Sequence, residues 1–509
     1  MGEIENKAAE VQAGHTKKDE KDGTDISIAE EDGHHVLPDT SKRYYSRLSV
    51  WLMILFSGLA IGSDGYNAAV IGNIELILAV LYPNSLTNAI YNHLSNAFLI
   101  GMIIGMLGFG VVADQLGRKT GAVATTILLV LGIILSTAAS GTDDTGMFWM
   151  LIIARGIAGI GAGGEYPVSG AGAIEATDEN AKVRKYRGFM VSLVSGFAAD
   201  LGYVWGGLVP LLLLLCTRQE VSKYGIVWRT SLALGLVPPI SIFWFRWKMT
   251  VSTAFRKSAM RKQRVPYWLA IKRYWRALLG CSLSWFLYNY ISVPFGIFAA
   301  TITSRVNASD SLVKTLGWGV LINCFYVPGS PIGGYICDKI GRRKTMALGF
   351  GLQAILGFIL GGAYLPIQNV FPLFIVMYGI FLMLGEVGPG ATVILTASEC
   401  FPTSIRGQMM GFVSAWSKAG AAIGTQVFTA ITTSIPDEEK ANQTAFLVGS
   451  AFAVIGTCSA LFIIPDVHRR LDDEDAAWKA YLAEHGWEAD WGDEVSKDPK
   501  GIMMDGVVS

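Results

Sequence analysis

"GVVADQLGRKT" (residues 110–120) and "GGYICDKIGRRKT" (residues 333–345) carry one pattern twice. Gly110, Asp114, Gly117 and Arg118 return as Gly334, Asp338, Gly341 and Arg342, at a constant offset of 224 residues (338 − 114). Four positions in register, each time at the end of an apolar stretch, mark an internal repeat. The residue types have a shared physical use. An aspartate at a helix end can accept hydrogen bonds from free backbone N–H groups, the glycines let helices approach, and the arginines can pair with carboxylates on the same face. The pattern reads as a latch made in one conformation only.

Outward from the repeat, the chain is built for lipid. Its 509 residues are 51% hydrophobic and 16% charged, against roughly 25% charged for soluble domains. Mean hydropathy is +0.41. With 41 basic and 41 acidic residues, nothing points to a nucleic-acid partner. Stretches of about 18 or more residues with few charges qualify as spanning helices. Twelve are expected, from 49–72 at the start to 444–465 at the end, including 277–303 and 407–434. The expected fold is therefore an all-α integral membrane protein of two six-helix, pseudo-symmetric bundles.

The expected domains are a disordered cytosolic tail (1–46), an N-terminal bundle (47–246), a basic cytosolic linker (247–276), a C-terminal bundle (277–465) and an acidic cytosolic tail (466–509). Lysine and arginine set the orientation. The segment 246–276 and the loops around Arg118 and at 182–187 are basic, whereas the loops at 73–91, 141–146 and 366–370 hold no lysine or arginine, so both tails face the cytosol. The first 46 residues lack the apolar core of a signal peptide. Six cysteines without C-x-x-C spacing read as packing residues, with neither a disulfide framework nor a metal site.

With its twelve expected helices, two halves and the G-x-x-x-D-x-x-G-R-[KR] loop after the second and eighth spans, the chain resembles the major facilitator superfamily over residues 45–465. "GAGGEYPVS" after "ARGIAGI", "SDGYN" in the first span and "SWFLYN" in the seventh resemble the phosphate:proton symporter branch, and within it the fungal glycerophosphodiester permeases. The resemblance implies alternating access around a midplane site, with no covalent chemistry and no cofactor. It assigns Arg155 to a buried arginine linked to proton coupling, Tyr166 to a tyrosine that contacts phosphate, Trp285 to a site residue and Lys418 to a cavity lysine. Departures are informative. Asn289 and Asn67 stand where acids are expected, Val293 replaces a tyrosine, Ala198 a glutamine, and Glu165 an aspartate. A pocket with fewer carboxylates is less repulsive to anions and roomier, which suits an organophosphate larger than phosphate.

The residues themselves point the same way. Charged groups inside spans are costly and usually functional. Asp64, Glu165 and Glu386, the last placed in the tenth span as Glu165 is in the fourth, are the proton-coupling candidates. Arg155 and Lys418 supply countercharge as a fork and a point charge. Trp285 and Asn289, an i, i+4 pair, share a helix face. Tyr166, Trp285, Asn289, Lys418 and Arg155 are thus the substrate candidates, and Asp114, Arg118, Asp338, Arg342, Glu399 and Arg406 the gating ones. The plain alternative is mutual neutralisation of Arg155 with Glu165 or Glu386 for helix packing. Asp200, Tyr288, Tyr326 and Trp416 are assigned to packing. "GIGAGG" (159–164) lacks the strand a dinucleotide site requires. Sequons at Asn307 and Asn442 fall on the outer face, and residues 471–487 can form an amphipathic helix that packs under the bundle or binds a partner.

The expected function is a proton-coupled importer, monomeric, in the plasma membrane, for a glycerophosphodiester such as glycerophosphoinositol. Symport of phosphate, a carboxylate or a sugar is the alternative within the fold. A nutrient receptor is the alternative of another class, and an enzyme is not expected.

Overall fold

In lipid every backbone polar group must be satisfied within its own segment, and this chain does so with long helices. The computed structural model describes residues 47–170, 186–247, 265–306, 311–465 and 471–487. The first half comprises α1 (Arg47–Leu81), α2 (Asn88–Gln115), α3 (Arg118–Thr137), α4 (Asp144–Glu165), α5 (Arg187–Cys216) and α6 in two pieces (Tyr224–Leu234 and Val237–Trp247). The second comprises α7 (Tyr267–Ile297), α8 (Leu312–Ile340), α9 (Arg342–Gly362), α10 (Phe371–Cys400), α11 (Arg406–Ser434) and α12 (Glu438–Phe462), followed by α13 (Leu471–Glu484). The expected tail 1–46, most of the expected linker, the Asn307 sequon and the end of the chain lie outside the described residues.

Among the described residues, ten helices are long and apolar enough to cross a membrane. The seventh and eleventh expected spans form α7 and α11 but are not among them, because serines, Asn289 and Lys418 interrupt their apolar runs. α7 also begins at Tyr267, inside the stretch assigned to the linker. On α2, Ile100, Ile104, Leu107 and Val111 are exposed at helical spacing while Met102 and Met106 are buried. One stripe meets lipid and the other meets protein.

Three π-helical turns interrupt the spans, at Tyr166–Gly170 below α4, Leu193–Phe197 in α5 and Glu386–Gly390 in α10. Pro167 and Pro389 lack the N–H that a regular turn would use. The first follows directly on Glu165 and the third begins at Glu386, so the two carboxylates hold matching places in their halves.

The halves are not separate bodies. α2 packs along α11 and α5 along α8, which joins them over most of their length. The tail helix docks instead of standing free: Trp478 and Leu482 are buried, Asp475 accepts bonds from the Thr403 amide and hydroxyl at 2.6 and 2.7 Å, and the Tyr274 hydroxyl donates to Glu474 at 2.6 Å. The structure places the Asn442 sequon, and the expectation for the cysteines needs correction. Asn442 is buried, with its amide nitrogen donating to the Tyr364 hydroxyl at 2.9 Å, so it is not an open glycosylation site. Of the cysteines, Cys281, Cys337 and Cys400 are buried packing residues, but Cys216, Cys324 and Cys458 are exposed.

Candidate functional site

Between the halves lies a cavity of about 80 Å³. Tyr166, Asp200 and Tyr203 line it from the first half, and Trp285, Asn289, Glu386 and Lys418 from the second. Every one of its charged groups is buried.

Lys418 projects from α11 with only 8% exposure. Its Nζ donates to Asn289 Oδ1 at 3.4 Å and sits 5.3 Å from the Tyr166 ring centroid, a cation–π arrangement that lowers the cost of burying charge. The Tyr166 and Trp285 ring centroids are 6.1 Å apart. Asn289 Nδ2 donates to the Trp285 carbonyl one turn back at 3.1 Å, which leaves its oxygen toward the lysine. A cation, an amide and two aromatic walls therefore converge.

Opposite them, Glu386 accepts from the hydroxyls of Tyr288 and Ser330, and Ser330 also lies 2.8 Å from Asp200 Oδ2. Asp200 and Tyr288, expected to be packing groups, are thus part of the cavity wall, as is Tyr326, whose hydroxyl donates to the Ser292 carbonyl at 2.7 Å. Trp416 lies on the exposed side of α11 against Phe286. Asp64 is buried beside the cavity within electrostatic reach of Glu165, Arg246 and Lys418, and neither carboxylate oxygen has a hydrogen-bond partner among the described residues.

Two other candidates lie elsewhere. Glu165 is gripped by both terminal nitrogens of Arg246 and by the Thr125 hydroxyl, away from the cavity lining. The alternative pairing of Arg155 with Glu165 or Glu386 is therefore not made. Arg155 instead donates to the Asn67 carbonyl at 3.1 Å, stands 5.1 Å over the Phe98 ring and faces Glu75. The first helix, expected to end at 72, runs on to Leu81 and so takes Glu75 out of the outer loop, while Arg246 stands in the last turn of α6 at the edge of the basic segment. Their signal in the sequence is faint: a charge within a few residues of a span boundary.

On the face that carries the repeated motif, the two aspartates act across the halves. Asp114, at the end of α2, accepts from the Gly407 and Gln408 amides of α11 at 3.1 and 2.8 Å. Asp338, at the end of α8, accepts from the Gly188 and Phe189 amides of α5 at 2.8 and 2.9 Å. Each caps the free N–H groups and favourable dipole end of a helix in the opposite half. Glu399 receives Arg342 through two bonds of 2.9 Å and Arg187 at 3.0 Å. Arg406 is buried and donates to the Ser398 and Phe401 carbonyls, bracing the α10–α11 turn. The Arg118 side chain lies outside the described residues.

Residues 50–263 and 252–473 match the family described as sugar (and other) transporter. Glycerophosphoinositol permease 1 of Candida albicans is 37% identical over 87% of this chain and 83% of its own length. Glycerophosphoinositol transporter 1 of Saccharomyces cerevisiae is 34% identical over 87% and 85%. Among solved structures, the proton:xylose symporter XylE bound to 6-bromo-6-deoxy-D-glucose superposes with a TM-score of 0.68 at 19% identity, covering 85% of this chain and all of that one.

Proposed function

The chain belongs to the sugar (and other) transporter family of the major facilitator superfamily, and from that premise we propose that it imports a glycerophosphodiester, such as glycerophosphoinositol, together with protons. The observation that carries the reading is Lys418, a buried cation set beside Asn289, Trp285 and Tyr166 in the cavity between the halves. A phosphodiester monoanion matches a lone cation with neighbouring donors and aromatic walls. The names of the fungal relatives agree with it.

At about 80 Å³ the cavity is smaller than the roughly 300–1,000 Å³ of ligand pockets. The halves must part to admit substrate. The basic loops orient the motif face toward the cytosol, so the bonds of Asp114, Asp338 and Glu399 hold the cytosolic side shut in this arrangement. Breaking them opens the inward path, with Arg118, Arg342 and Arg406 completing the gate. Asp64, Glu165 and Glu386 are the proton carriers of this reading, with Glu165 exchanging Arg246 for a proton as the helices shift. The protein works as a monomer in the plasma membrane, both tails in the cytosol.

Uptake of labelled glycerophosphoinositol, inorganic phosphate and a neutral polyol by one reconstituted preparation tests it. The diester should enter, its uptake should rise with an inward proton gradient, and phosphate should compete weakly. Entry of the polyol alone would remove the role of Lys418.

A further inference from the structure

Asp200 comes from α5 in the first half, whereas Ser330 and Glu386 come from α8 and α10 in the second. All three are buried, at 4%, 0% and 3% exposure. Ser330 Oγ lies 2.8 Å from Asp200 Oδ2 and 3.1 Å from Glu386 Oε2. The hydroxyl has one proton and can donate to one carboxylate only. The Tyr288 proton is already spent on the other oxygen of Glu386. If both acids were ionised, one of the two contacts with Ser330 would set lone pair against lone pair in a dry interior. A single added proton removes the conflict: one carboxyl donates to Oγ, and Oγ donates to the other carboxylate.

The surroundings are shaped for this cluster. A Cβ on Gly196 would lie 2.2 Å from Ser330 Oγ, and one on Gly390 would lie 2.1 Å from Glu386 Oε2. Both glycines sit on π-helical turns, which re-aim the backbone at the cavity. A separate observation points to a ligand beside it: Ser292 lines the same cavity, is 3% exposed, and its hydroxyl has no hydrogen-bond partner among the described residues. The ionisable groups facing the pair are Lys418 from α11, Tyr288 from α7, Tyr203 from α5, Tyr326 from α8 and Tyr166 below α4.

We propose that Asp200 and Glu386 form one shared proton site, closed across the two halves by Ser330, and that its proton is one of those that move with the substrate. The inference rests on the proton coupling proposed above and adds Asp200 as the acid that shares the Glu386 proton. The proton enters from whichever aqueous side the cavity faces, is held while the halves are together, and leaves on the other side when α5 withdraws from α8 and α10. No bond in the substrate changes. Without the proton, two adjacent carboxylates resist closure, so the empty and unprotonated carrier is hindered from cycling and the loaded one is not.

The test uses the full chain in proteoliposomes and labelled glycerophosphoinositol, with two readouts: accumulation driven by an imposed proton gradient, and exchange of internal for external substrate at equal pH. Asp200→Asn and Glu386→Gln should each lose gradient-driven accumulation and pH dependence while retaining exchange. Ser330→Ala, which keeps both acids and removes the bridge, should shift the pH profile of uptake. Wild-type accumulation that collapses with an uncoupler, together with acid variants that accumulate as wild type does, would overturn this inference and leave the proton coupling standing. Loss of exchange in parallel with accumulation in a protein that still elutes as a folded species would overturn it too, assigning the pair to substrate hydroxyls. A wild type indifferent to the gradient would overturn both. If either acid variant fails to fold, an unchanged pH profile in Ser330→Ala decides against the shared site.

Discussion

Lys418 and Arg246 are both buried cations, yet they differ in what surrounds them. Arg246 is matched by Glu165 and also bonds Thr126 and the Ala122 carbonyl, so its charge is consumed locally. Among the described residues, Lys418 has a neutral amide at 3.4 Å and a ring face nearby, with Asp64 and Glu386 at longer range. A charge held this loosely inside a membrane protein implies a partner that arrives. Lys418→Met should therefore abolish diester uptake while leaving the thermal unfolding temperature near wild type, since no direct ion pair is broken. Arg246→Met should behave in the opposite way, destabilising by about 3–5 kcal/mol through the stranded Glu165, and the added Glu165→Gln change should restore most of it. Thermal unfolding of the single and double variants in detergent checks the cycle. Uptake by Glu165→Gln alone tests its coupling role: unchanged pH dependence removes it.

At the level of elements, the repeated motif does two jobs with adjacent residues. Gly117 and Gly341 have φ of 101° and 92° with ψ of 156° and 160°, and each immediately precedes a helix, α3 or α9. That region is open to glycine and strained for other residues. The sharp reversal it permits ends the helix that carries the capping aspartate and starts the next one. Gly341→Ala should cost about 1–3 kcal/mol and weaken the Asp338 cap, read as a lowered unfolding temperature together with faster labelling of a cysteine placed at Phe189. At the cavity, Glu386 opens a π-helical turn whose last residue, Gly390, leaves room for its carboxylate.

For the whole molecule, the state described is shut on the motif face by two aspartate caps and the Glu399 pair of arginines, all between or beside the halves. On the proposed alternating-access reading, these bonds break together as the opposite state forms. Asp114→Asn with Asp338→Asn should shift the population toward that state, seen as increased accessibility of cysteine probes on the motif face and a lengthened distance between spin labels on α2 and α11. Unchanged distances would exclude the caps as the latch. α13 adds a further constraint, because Asp475 holds Thr403 in the turn between α10 and α11, next to Glu399 and Arg406. Trp478→Ala removes a fully buried aromatic side chain, a change worth about 3–5 kcal/mol in well-packed cores, and should release the tail helix to proteolysis before the bundle unfolds.

What the sequence alone determined was everything that depends on neighbours along the chain. Apolar runs marked the spans, the twice-written motif marked the halves and one of their faces, and the polar residues in "SWFLYN" and "SAWSKAGAAIG" marked the cavity side of α7 and α11, because a helix in lipid satisfies its own backbone and so advertises itself locally. Which charge meets which was decided only by the tertiary structure. Glu165 and Arg246 are 81 positions apart, Asp200 and Ser330 are 130 apart, and Ser330 and Glu386 are 56 apart. Nothing in the spacing of such residues favours these partners over Arg155, because pairing across helices is set by how deep each helix runs and how it is turned. Depth and rotation follow from packing two bundles against one another, which no single segment encodes.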